Sequence, residues 1–146
     1  VTFLDLIIGS LYVSQISKEY CSHGLSYTTF TLSNLEVSSS GATVVVHNTG
    51  LREGAEVIQL YMSPVQQTTC RPVKELKAFG KVFLAAGEAK ALNLNLDRNA
   101  TSYWSETREA WVSEKGEYHV FVGVSSDRII LTGRFMREKT EIWTGI

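Results

Sequence analysis

At 146 residues the chain is long enough for one domain with a genuine core and short for two. Its 44% hydrophobic and 20% charged residues are ordinary for a globular domain and exclude a disordered chain. A formal net charge of −1 gives no overall field toward nucleic acid or an anionic membrane, so neither is expected as a partner.

The most apolar stretch comes first, "VTFLDLIIGSLYV". It is 13 residues long and contains Asp5, whereas a membrane span needs about 20 apolar residues. The starting methionine and basic segment of a secretory leader are not seen in it. Residues 1–22 are therefore read as an N-terminal extension, a remnant or misread linker, or an end left by a cut through a larger protein.

From Tyr27 onward the pattern is of short β-type runs between turn formers. "YTTFTLSNLEV" reads as a first strand, "SSSG" as a turn, "ATVVVHN" as a buried strand and "NTGLREG" as a loop. "AEVIQLYMS" alternates, with Ile58, Leu60 and Met62 expected to face the core. The next stretch, "RPVKELKAFGKVFLAAGEAKAL", is ambiguous, because Lys74, Lys77 and Lys81 fall at helical spacing. Pro72 and Gly80 disfavour a helix, so 73–84 is read as a strand, irregular around Gly80, with its lysines on a solvent face or guarding an edge. "AAGE" is a hairpin turn, and Leu92, Leu94 and Leu96 alternate with polar residues in the strand after it. "SYW", "AWV", "GEYHVFVGV" and "RIILTGRF" supply further strands, and 137–146 reads as a tail that leaves the domain. Seven or more short strands at this spacing, with no convincing helix, predict an all-β sandwich.

Candidate chemistry is sparse. His23, His47 and His119 form no ligand pair, and Cys21 and Cys70 lack metal-site spacing, so no metal and no cofactor are expected. The two cysteines could form one bridge but read better as independent thiols. No G-x-S-x-G elbow occurs, and "GKVFL" lacks the glycine-rich cradle of a phosphate loop. The most suggestive cluster is "YWSETREAWVSE", which places Glu106, Glu109 and Glu114 around Trp104 and Trp111. Indoles stack on sugar faces and carboxylates bond hydroxyls, so Trp104, Trp111, Glu106 and Glu109 are candidate carbohydrate contacts. The plainer reading is a tryptophan buried between the sheets with charges in a hairpin loop. Asn99, in "NAT", is a formal N-glycosylation sequon that matters only in a secretory setting.

Taken together, "HGLSYTTF", "NTGLREGAEVIQLYMS", "RPVKELKAFGKVFLAAGE", "LDRNATSYWSETREAWVSEKGEYHVFVGVSSD" and "ILTGRF" resemble the C-terminal fibronectin type III-like domain of glycoside hydrolase family 3 β-glucosidases, particularly the fungal kind. The resemblance runs from about His23 to Phe135, within a domain read as residues 23–136, and "EYCS" departs from the phenylalanine- and glycine-bearing approach usual before "HGLSY". It implies an all-β, immunoglobulin/fibronectin type III-like sandwich of about seven strands that follows a barrel domain and an α/β domain. The nucleophilic aspartate, in an S-D-W context, lies in the barrel and the acid/base glutamate in the second domain. No S-D-W occurs here, so the resemblance implies an inactive chain and, as partners, the catalytic domains of a parent glycosidase. Such a bracing domain should expose an apolar patch. The alternative is a free-standing module that binds β-glucan or a glucoside through the tryptophans. Location, outside the cell or in the cytoplasm, follows the parent and is left open.

Overall fold

The computed structural model describes residues 26–66 and 71–145. The 1–22 extension, His23 and both cysteines lie outside the described residues. Ten strands follow in order: β1 (Phe30–Ser38), β2 (Gly41–Asn48), β3 (Gly54–Pro64), β4 (Glu75–Leu84), β5 (Ala89–Asn95), β6 (Ser102–Ser105), β7 (Ala110–Ser113), β8 (Gly116–Gly123), β9 (Ile129–Arg137) and β10 (Glu141–Trp143). Among the described residues, a single 3-10 turn, Arg98–Thr101, precedes β6.

Every described ladder is antiparallel. One sheet has the order β1-β2-β5 and a second β4-β3-β8-β9, while β10-β7-β6 forms a small third sheet. Period-two alternation builds the interior between the first two. Ala42, Val44 and Val46 point inward from β2, Ile58, Leu60 and Met62 from β3, Leu94 from β5, and Tyr118, Val120 and Val122 from β8. Complete burial of an aliphatic side chain of this size stabilises by about 1.5–3 kcal/mol. The inward side predicted for β3 is the one found.

Strand β4 is extended, as expected, but differs in two respects. Its irregularity is at Lys77, the residue left over where Leu60 pairs with Ala78 and Tyr61 with Leu76. Gly80 instead points inward, where an added Cβ would stand 3.1 Å from a Leu94 methyl and 3.2 Å from those of Leu92. That close approach of the two sheets explains a glycine in mid-strand. The lysines do not share a solvent face either. Only Lys81 is exposed, while Lys77 is largely buried against Glu75 and Lys74 donates to the Ser126 carbonyl oxygen at 2.9 Å.

The end of the chain also differs from expectation. Glu141–Trp143 pairs with β7 instead of leaving the domain. The hydroxyl of Tyr118 donates to the Glu114 carbonyl oxygen at 2.8 Å, four residues upstream, and its ring stacks on Phe135. This is the corner by which immunoglobulin-like sandwiches tie a strand to the loop before it. Burial pushes the Tyr118 phenol above its usual range.

Candidate functional site

The small sheet brings the sequence-predicted tryptophans together. Trp104 on β6 stands opposite Trp111 on β7, and their rings meet edge to face with centroids 5.6 Å apart. Neither is part of the core between the large sheets, so the reading of a tryptophan buried there is not what the structure shows. Trp104 is 48% exposed and Trp111 is partly covered. Glu106 and Glu109 occupy the exposed turn 106–109 that joins the two strands, as expected of hairpin charges. Glu109 adopts a left-handed φ of 47° there. Glu114 is drawn away from this group, accepting a hydrogen bond at 3.0 Å from Tyr103, which alternates to the face opposite Trp104.

A third tryptophan completes the arrangement and was not foreseen. Trp143 on β10 stands directly opposite Trp111 on the other side of β7. Arg98, from the 3-10 turn, lays its guanidinium 3.9 Å from the Trp143 ring centroid. Glu141 is 2.9 Å from Arg137 and 4.0 Å from Arg98. Asn99 is exposed beside Arg98, while Thr101 of the same sequon is buried and shares a 2.6 Å hydrogen bond with Ser113.

A second surface stands out on the four-stranded sheet. Leu76, Phe79 and Phe83 project outward from β4 and are 50%, 72% and 61% exposed. They lie opposite Tyr61, Gln59 and Ala55 of β3, and Phe121 of β8 follows beyond Tyr61. Among the described residues β4 is the edge of its sheet, with no strand paired on its far side, and this apolar strip runs along it. Large exposed apolar patches of this kind mark contact surfaces. Sequence reasoning anticipated an apolar patch without locating it.

At the head of the strip, where β4 begins, Arg71 and Lys77 both reach the Glu75 carboxylate. Burial acts to raise the Glu75 pKa, but hydrogen bonds and charge from Lys77, with Arg71, outweigh it and hold the group below its usual value. Among the described residues, no three His, Cys, Asp or Glu side chains converge to hold a metal ion.

The fibronectin type III-like domain family matches residues 56–126. The probable beta-glucosidase H of Aspergillus fumigatus is 43% identical over 97% of this chain, and this chain spans 19% of that relative. A putative beta-glucosidase of Schizosaccharomyces pombe is 45% identical over 97% of the chain, which spans 18% of it. Both alignments reach into the residues before His23. Among solved structures, the beta-glucosidase of Kluyveromyces marxianus in complex with glucose superposes with a TM-score of 0.78 at 45% identity, over 85% of this chain and 16% of that one. Beta-glucosidase 3B of Thermotoga neapolitana gives 0.77 at 37% identity, over 84% and 18%. The chain thus spans about a fifth of the curated relatives it matches. With sandwich, corner and sequence in agreement, the chain belongs to the fibronectin type III-like domains of the glycoside hydrolase family 3 β-glucosidases.

Proposed function

We propose that this domain is a non-catalytic brace in a β-glucosidase that releases terminal β-D-glucosyl residues. It supports the catalytic domains by docking its apolar β4 face against them. The observation that carries this reading is the strip of Leu76, Phe79 and Phe83 on an edge strand. Natural proteins cover or charge such edges, because apolar side chains beside unpaired backbone invite aggregation. Lys81 is the one charge projecting among these three side chains. A relative about five times longer supplies ample chain to cover the strip.

The test uses the longer enzyme carrying Phe79→Ser and Phe83→Ser together. The thermal midpoint of the enzyme should fall by several degrees, and limited proteolysis should release the domain intact, with β-glucoside hydrolysis declining in step. An enzyme with unchanged midpoint and protease resistance would overturn the proposal.

A further inference from the structure

We infer that the row Trp104–Trp111–Trp143 is a stacking site for a neutral polysaccharide, taken as a β-glucan on the accessory-domain reading above. Residues directly opposite on antiparallel strands share a face, so the three indoles line one side of the small sheet. Two strand spacings make the row about 10 Å long. Tryptophan carries a large apolar area and is usually committed to a core or an interface. Here the core takes Tyr118 and Phe135 but none of the three tryptophans.

The chemistry around the row narrows the ligand. Trp104 offers an open indole, and Trp111, at 72° to it, braces its position. Beyond the Ser105–Ala110 pair, the 106–109 turn flanks the Trp104–Trp111 part of the row with Glu106, Arg108 and Glu109, all exposed. At the β10 end of the row, Arg98 covers Trp143 and lies near Glu141. An aromatic surface with hydrogen-bonding groups of both signs at its rim suits an uncharged polyol. The C–H face of a pyranose meets the negative face of the indole, and its equatorial hydroxyls reach outward to carboxylate and guanidinium. With two carboxylates against one guanidinium, the 106–109 turn disfavours a polyanion. Strands of three and four residues provide little width for a lipid surface.

The experiment titrates the 146-residue chain with cellohexaose, laminarihexaose and, for contrast, maltohexaose, following tryptophan fluorescence. A saturable change is expected with at least one β-glucan. Trp104→Ala should weaken it roughly tenfold or more without moving the thermal midpoint, and Trp104→Tyr should restore most of the loss. Trp143→Ala should have a smaller effect in the same direction. Absence of saturable binding, or wild-type affinity in Trp104→Ala, overturns the site. If the alanine variant fails to fold, wild-type affinity in Trp143→Ala overturns it instead. Binding of maltohexaose in preference overturns the β-glucan assignment. Trp104→Ala should also leave the stability of the longer enzyme unchanged, which separates failure of this site from failure of the β4 docking face. A destabilised enzyme whose domain binds no glucan would make the row an interdomain contact.

Discussion

The outward face of the β1-β2-β5 sheet carries Thr31, Ser33, Thr43 and Asn93, whereas that of the β4-β3-β8-β9 sheet carries Leu76, Phe79, Phe83 and Phe121. On the first, Thr43 donates to the Asn93 side-chain oxygen at 2.9 Å, and none of the large exposed apolar residues belongs to its strands. On the second, three of those residues stand along a single edge strand. Both sheets contribute inward side chains to the same core, so the difference between their exteriors is not a matter of domain stability. A sheet exterior that faces water alternates apolar-in with polar-out. The first sheet obeys that rule and the second departs from it, and this contrast is what supports the proposed docking face.

Neighbouring residues of β4 put this comparison to its hardest test. Leu84 is fully buried and Phe83 is mostly exposed. Leu84→Ala should destabilise the chain by about 3 kcal/mol, whereas Phe83→Ala should change stability by less than about 0.5 kcal/mol, both read from urea denaturation. Equal losses would mean that Phe83 packs within the domain and that the two exteriors are alike in kind. Asn48 tests the polar sheet from within, because it continues the inward row of Val44 and Val46 yet is polar and fully buried. Its side-chain oxygen accepts from Thr28 Oγ1 and the Gly50 N–H, and its nitrogen donates to the carbonyl oxygens of Arg52 and Leu84. It therefore joins the entry to β1, the β2–β3 loop and the end of β4. Asn48→Val would complete an apolar row by pattern but strand several polar groups, at a cost of about 2 kcal/mol. A neutral or stabilising outcome in the same denaturation series would show that water replaces those bonds.

How much of this was legible depended on whether local pattern carries the information. Leu92, Leu94 and Leu96 declare their inward side because apolar and polar residues alternate there, and Ile58, Leu60 and Met62 because theirs is the more apolar of two alternating sets. In β4 both faces are apolar and Lys77 interrupts the register, so alternation gives way to the lysine spacing, and the exposed Phe79 and Phe83 are hidden within the apolar run. Trp104 and Trp111 could be paired in sequence because a short hairpin joins them. Trp143 reaches the same row by a pairing that spans two intervening strands, in a strand of three residues too short for any period. Asn48 was read only as the end of a strand, since its partners come from three separate segments that folding brings together.

The smallest effect concerns the ionic group at the head of the apolar strip, where Glu75 holds Lys77 down on the edge strand. Lys77 would otherwise be free to guard that edge. The Glu75 pKa is lowered on folding, so its contribution is complete above the unfolded carboxylate value of about 4.3. It is then lost as pH falls through the lower, folded value. Glu75→Gln should thus destabilise the chain by less than about 1 kcal/mol at neutral pH. Wild type and variant should converge as acid protonates the wild-type carboxyl, a trend readable from thermal midpoints across an acid series. A difference that persists unchanged through the acid range would assign Glu75 a packing role, leaving the charge contrast between the β4 edge and the polar sheet to Lys81 alone.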